Sequence, residues 1–130
     1  METMRTYELE VLPFELAICR LGPEEGAPQW ALQAQFFSLT RTGDELSVVC
    51  PQDQVPPGVE MSGGWTCLKL RGPLNFDQVG VLASLAQPLA DAGISIFVVS
   101  TYETDYILVQ RKDINQAVSV LRKKGHAVQY

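Results

Sequence analysis

The most regular hydrophobic pattern lies in the second half of the chain. Trp65-Thr-Cys-Leu-Lys-Leu70 alternates and is rich in β-type residues, so it predicts a strand. Arg71-Gly-Pro-Leu-Asn75 supplies a turn. From Phe76 to Ala92 the apolar positions Val79, Leu82, Leu85, Ala86 and Leu89 recur at three and four, which is one face of a helix. Asn75 or Asp77 can cap its start, and Gly93 sits where a left-handed C-terminal residue belongs. Pro88 inside it removes a donor and is expected to kink it. Ile94 to Ser100 is a continuous apolar run, expected to be a central strand, and Asp105 to Gln110 predicts another. Asp113 then caps a second helix with Ile114, Ala117, Val118 and Leu121 on one face. Lys123 and Lys124 complement its C-terminal dipole, and Gly125 ends it. Ala127 to Tyr130 reads as a short last strand. The order is β-α-β-β-α-β, which interleaves two right-handed crossovers into a four-stranded antiparallel sheet with both helices on one face. The other face of such a sheet needs a cover, from the N-terminal half or from a second chain.

The first half carries a weaker copy. At an offset of 61 residues Phe36 falls on Phe97, Thr40 on Thr101, Asp44 on Asp105, Leu46 on Ile107 and Val48 on Val109. Both stretches read as strand, polar turn, strand; generic hairpin chemistry is the alternative to a true repeat. Upstream, Tyr7–Leu12 and Glu15–Leu21 read as two strands joined across Pro13. No first helix is legible in this half, where a loop, Gly22–Pro28, stands in its place, and Val55–Val59 offers at most a helical turn. The boundary between the halves is expected within Gly58–Gly64.

Composition sharpens this picture. With 130 residues, 46% apolar, 19% charged, the chain can bury a sizeable core, and disorder is excluded as its main state. A net charge of −5 argues against broad binding to nucleic acid or an anionic membrane. No apolar run approaches the roughly 20 residues that span a bilayer, and Met1–Arg5 lacks the order of a signal peptide, which predicts a cytoplasmic protein. Cys19, Cys50 and Cys67 are widely spaced within apolar stretches, as buried free thiols are. His126 is the single histidine, so a metal site or a nucleophile-base pair would depend on it alone.

No catalytic constellation stands out, and the predicted protein is not an enzyme. Two clusters can instead hold a ligand. The junction Gly72–Gly80 leads into a helix N-terminus, whose free N–H groups favour a carboxylate. Gly80 there allows either close approach of a ligand or close packing of helix on sheet. Ser100-Thr-Tyr-Glu-Thr-Asp105 is either a solvated turn or a site where Asp105 meets an ammonium group. Together the two clusters would hold a small zwitterion at both ends, with no reaction chemistry between them.

These residues carry a family resemblance. Phe36–Pro51 and the string Gly80–Val109, with its Gly-Ile-Ser-Ile and Ser-Thr-Tyr-Glu-Thr-Asp-Tyr-Ile-Leu-Val segments, resemble ACT-domain proteins of the small tandem type found in the CASTOR arginine sensors and in aspartokinase regulatory domains. The resemblance implies an α+β, ferredoxin-like fold in tandem, with a degenerate unit over residues 1–62 and a complete ACT domain over 63–130. It implies a non-enzymatic regulatory protein, without cofactor or metal, that holds a free amino acid where ACT units meet in a homodimer and signals to a regulated protein partner. The alternative is a protein–protein interaction module with a vestigial ligand site. Carried over by position, the site comprises Asn75, Phe76, Asp77, Gln78, Gly80 and Val81 at the helix start. Thr101, Tyr102, Glu103 and Asp105 would join from the hairpin, and Ser95 and Ile96 from the strand edge of the neighbouring unit. At Gln78 the arginine-sensing relatives carry an acid; a neutral amide cannot pair with a guanidinium, so Glu103 would have to compensate.

Overall fold

The computed structural model describes residues 5–73 and 79–130. The chain divides into two compact units, one of residues 1–13 with 66–130 and one of residues 14–65. Residues 5–13 thus pack with the C-terminal half. Among the described residues there are seven strands and three α-helices: β1 (Glu8–Leu21), α1 (Gln29–Leu32), β2 (Ser38–Arg41), β3 (Leu46–Pro51), β4 (Glu60–Leu70), α2 (Val81–Asp91), β5 (Ile96–Ser100), β6 (Asp105–Gln110), α3 (Ile114–Lys123) and β7 (Ala127–Gln129).

In the first unit the strand order is β7-β1-β4-β6-β5. The expected β-α-β-β-α-β order is present from β4 onward, and β1 adds a strand between β4 and β7. Its alternation explains why. Glu8-Leu-Glu-Val11 puts Leu9 into the core and the glutamates on the opposite face, and the strand pairs in parallel with β7 through Glu8↔Ala127, Leu9↔Val128 and Glu10↔Gln129. The two strands expected on either side of Pro13 are one, since β1 runs through Pro13 without a break. The core is formed by Leu9, Leu68, Leu70, Ile107, Val109 and Val128 of the sheet against Val81, Leu85 and Leu89 of α2 and Ala117, Val118 and Leu121 of α3. These sheet residues alternate with outward ones, so both helices cover one face.

Three expectations for this unit are corrected. The helix predicted from Phe76 begins at Val81, with Gly80 as its N-cap in the left-handed region at φ 81°. Val79, assigned to the apolar face, lies before the helix and is 92% exposed. Neither Asn75 nor Asp77 stands at that N-cap, and both lie outside the described residues. The continuous apolar run that suggested a central strand forms β5 at the edge of the order, antiparallel to β6 with Ile96↔Val109 and Ser100↔Asp105 in register. Asp113 holds the N-cap position of α3 without a side-chain cap hydrogen bond.

The helix ends follow the sequence closely. The Gly93 N–H donates to Ala90 O (2.9 Å) and the Ile94 N–H to Leu89 O (3.0 Å); Gly93 takes φ 75°. Gly125 repeats the arrangement, its N–H donating to Arg122 O (2.9 Å) and that of His126 to Leu121 O (3.2 Å). This double bond pattern around a left-handed glycine satisfies carbonyls that the helix leaves open. Helix α2 continues past Pro88 to Asp91.

In the second unit β3 pairs antiparallel with β1 and with β2, giving the order β2-β3-β1. The hairpin read from Phe36–Cys50 is therefore β2–β3. A four-residue helix, α1, follows the Gly22–Pro28 loop where no helix was legible. The core is small: Ala17, Cys19, Ala31, Leu46, Val48 and Cys50 are buried together. Gln52 Oε1 accepts the Gly64 N–H at 2.7 Å, and a Cβ on Gly63 would meet that same side chain at 2.8 Å.

Candidate functional site

The site is built around the β5–β6 turn. Ser100 and Asp105 are paired in register, and the Ser100 hydroxyl donates to Asp105 Oδ1 at 2.6 Å. Between them the Thr101 N–H donates to Thr104 O at 2.8 Å, and the Thr104 N–H to Thr101 Oγ1 at 3.3 Å. Thr104 is only 4% exposed, and its hydroxyl donates to Leu70 O at 2.7 Å. That bond fixes the turn to the end of β4, next to the cis Gly72–Pro73 peptide. The turn is therefore an ordered element with a polar, outward rim. Tyr102 is 80% exposed there, Glu103 is exposed and Asp105 is half-buried.

A cavity of about 240 Å³ opens beside this turn, within the first unit. Glu10 of β1, Lys69 of β4, Tyr106 of β6 and Gln129 of β7 line it, with Thr101 and Glu103 of the turn. Each of the four strand residues neighbours a core residue, so all four stand on the sheet face away from the helices. Arg71 and Glu8 at its wall form an ion pair at 2.6 Å, and the Arg71 N–H donates to Glu8 O at 2.8 Å.

The structure thus brings Thr101 and Glu103 to one cavity, together with strand residues that the sequence reading did not single out. Asp105 and Tyr102 share the turn without lining that cavity. Gly80 and Val81 mark the start of α2, Gly80 exposed and Val81 buried. Asn75, Phe76, Asp77 and Gln78 lie outside the described residues. Ser95 and Ile96 stand at the opposite end of β5 from the turn, roughly 14 Å along the strand, so one chain does not bring them to it. The missed residues had a signal: the charged positions of Glu8-Leu-Glu-Val11 and Leu68-Lys-Leu70 mark an open sheet face once both strands share a sheet.

Burial pushes the Cys67 thiol up to about 12, and burial followed by the neighbouring Cys19 does the same for Cys50. Cys19 is also raised by burial. All three cysteines are free and buried, and thiols held protonated are poor nucleophiles. Burial lowers His126, whose Nδ1 accepts the Tyr7 N–H at 3.1 Å and whose ring stacks on Tyr7. A nitrogen that accepts an N–H carries no proton, so His126 is neutral and structural in this geometry. Among the described residues no group of three or more His, Cys, Asp or Glu is arranged to hold a metal ion. No helix among them is long and apolar enough to cross a membrane.

A β-α-β-β-α-β unit with two helices on one sheet face, and a polar turn at the strand ends, defines a ferredoxin-like fold. The chain belongs to the ACT-domain family: the ACT-domain model matches residues 60–123, and a second model, describing an N-terminal domain, matches residues 15–58. The human cytosolic arginine sensor for mTORC1 subunit 1 is 38% identical over 97 residues, which cover 68% of this chain and 30% of the sensor. The chain therefore spans about a third of the length of that curated relative. A crystallised protein from Agrobacterium tumefaciens is 39% identical and superposes with a TM-score of 0.91 over 98% of this chain and 96% of its own. The aspartokinase alpha and beta subunits share the fold at 19% identity, with a TM-score of 0.61 over 92% of this chain and 97% of theirs.

Proposed function

We propose that this protein is a non-enzymatic regulator that binds a free amino acid where ACT units of two copies meet, and passes that state to a protein partner in the cytoplasm. The observation that carries this reading is the ordered Ser100–Asp105 turn of an ACT unit, which presents a half-buried carboxylate. The similarity to an arginine sensor supports amino-acid sensing as the role. In this reading Asp105 meets the ligand ammonium, the N-terminal turn of α2 with Gly80, Val81 and the preceding Asn75–Gln78 meets its carboxylate, and Ser95 and Ile96 come from the second copy. The pairing is two-fold, so each copy offers the same surface.

The test uses Asp105→Asn. The amide keeps an oxygen for the Ser100 hydroxyl but carries no charge. The melting temperature without ligand is expected to stay within about 2 °C of the parent, while the ligand-induced rise disappears. Persistence of the rise places the ammonium elsewhere. The alternative, an interaction module with a vestigial site, draws on the second unit, where Leu32, Phe37 and Met61 are exposed. Steady co-purification of one partner, with no response to any amino acid, would decide for it.

A further inference from the structure

Helix α3 and the turn before it carry a charge opposite to that of the rest of the chain. Residues 111–124 hold five of the ten basic residues and one of the fifteen acids, a net charge of +4. The remaining residues hold five basic and fourteen acidic side chains, a net charge of −9. The surface of α3 divides into three. Ala117, Val118 and Leu121 face the core. Asn115 and Arg122 are tied to the β7 side: the Tyr130 hydroxyl donates to Asn115 Oδ1 at 2.9 Å, Arg122 donates to Val128 O at 2.6 Å, and its guanidinium lies 5.7 Å from the centre of the Tyr130 ring. The third part is a stripe of Lys112, Gln116, Ser119 and Lys123, spaced at four, three and four, all exposed. No side chain of the four has an ion-pair or hydrogen-bond partner among the described residues.

The helix dipole accounts for one end of this stripe only. Lys123 and Lys124 complement the C-terminal end of α3. Lys112 lies in the 3-10 turn Arg111–Asp113 that leads into the helix, at the end where the dipole disfavours a cation. A helical rise of about 1.5 Å per residue sets Lys112 and Lys123 roughly 16 Å apart. The complement of this face is therefore an anionic partner of short reach. A duplex or a bilayer surface would extend well beyond the helix, more than the screening length of about 8 Å, and meet the acidic remainder of the chain. The stripe has no aromatic side chain to stack on a base and no apolar one to enter a bilayer. Pairing of the face with its own copy across a two-fold axis would set lysine against lysine.

We infer that the Lys112–Gln116–Ser119–Lys123 face of α3 docks a short acidic segment of a different protein. Carboxylates near the two ends of the segment meet Lys112 and Lys123, and its polar groups between them meet the amide of Gln116 and the hydroxyl of Ser119. An extended segment spans this distance with about five residues. The face lies on the helix-covered side of the sheet and includes no residue of the cavity or of the β5–β6 turn. The inference therefore goes beyond the proposed function and stands without it.

Fluorescence anisotropy of a labelled oligoglutamate peptide, titrated with the full chain at low ionic strength, tests this. The peptide is expected to bind, to be released by salt, and to bind far more tightly than an oligoglutamine of the same length. Lys112→Gln and Lys123→Gln are each expected to weaken binding about threefold, and together about tenfold. Arg20→Gln, in the second unit, removes the same charge and leaves the affinity unchanged. Both lysines are exposed, so all these variants keep the melting temperature of the parent, which separates lost docking from lost folding. Failure of oligoglutamate to bind overturns the inference, as does an affinity that ignores both lysine variants or falls as far in Arg20→Gln as in either of them. An oligothymidylate of the same charge, or phosphatidylserine vesicles, bound more tightly than oligoglutamate would assign the face to nucleic acid or to a membrane and overturn it as well.

Discussion

His126 shows how one side chain fixes an edge of the first unit. Its Nδ1 accepts the Tyr7 N–H, while the Ala127 N–H donates to Tyr7 O at 3.0 Å, so both backbone groups of Tyr7 are held where β1 meets β7. Protonation would turn that acceptor into a donor facing a donor. Burial holds the folded-state proton affinity below its ordinary value of 6.5. As pH falls below that value, the unfolded chain takes up the proton first. Stability therefore rises with pH across this window and is lost as pH falls through it. In melting scans from pH 7 down to about 5.5, His126→Asn, which retains an acceptor oxygen, is expected to flatten the decline relative to the parent; equal slopes would remove His126 from the explanation. The thiols make a second residue-scale prediction. With Cys50 and Cys67 pushed up to about 12 and all three cysteines buried, a thiol-reactive dye is expected to label the native protein slowly. Three thiols should then react at once in denaturant. Rapid labelling of the native protein would show that one of them is reached by solvent.

At the scale of elements, the two helix ends are alike in hydrogen bonding but not in their surroundings. Both Gly93 and Gly125 have positive φ, so alanine at either strains the backbone by about 1–2 kcal/mol. A Cβ at Gly93 meets nothing within 4 Å, whereas at Gly125 it meets Thr6 Cγ2 at 3.2 Å. Chemical denaturation is thus expected to rank Gly125→Ala as more destabilising than Gly93→Ala; the reverse order would show that the Thr6 contact yields freely. The same elements show what was legible beforehand. Strand β6, the apolar face of α3 and both terminal glycines could be read from periodicity and cap chemistry, which are local. The start of α2 could not, because Val79 continues the three-four spacing although Gly80 sets the N-cap just after it. The edge position of β5 and the role of β1 beside β7 depend on partners far away in sequence, which no local pattern encodes. Pro13 misled for the opposite reason, since a local breaker is tolerated within the long strand β1. Of the candidate site, the polar turn was readable as a turn. The cavity was not, because it takes residues from four strands whose order is a property of the fold.

At the scale of the molecule, two features of the sequence meet in one unit. Low charge and high apolar content become a helix-covered core, and the few charges on the opposite face gather around the cavity. The net charge of −5 disfavours nucleic acid as a partner. Ser95 and Ile96 lie far along β5 from the turn, so a site that uses them requires a second copy. Light scattering is expected to give twice the chain mass if the junction reading holds, and the chain mass alone would remove those two residues from the site. The most direct measurement of the central claim is a thermal-shift screen with each common amino acid at millimolar concentration. A ligand that binds only the folded state stabilises it by RT ln(1 + [L]/Kd), about 2.7 kcal/mol at a hundredfold excess over Kd. The result expected is a rise of several degrees with one amino acid or a small set of them, lost in Asp105→Asn. No rise with any amino acid would contradict an amino-acid-binding function.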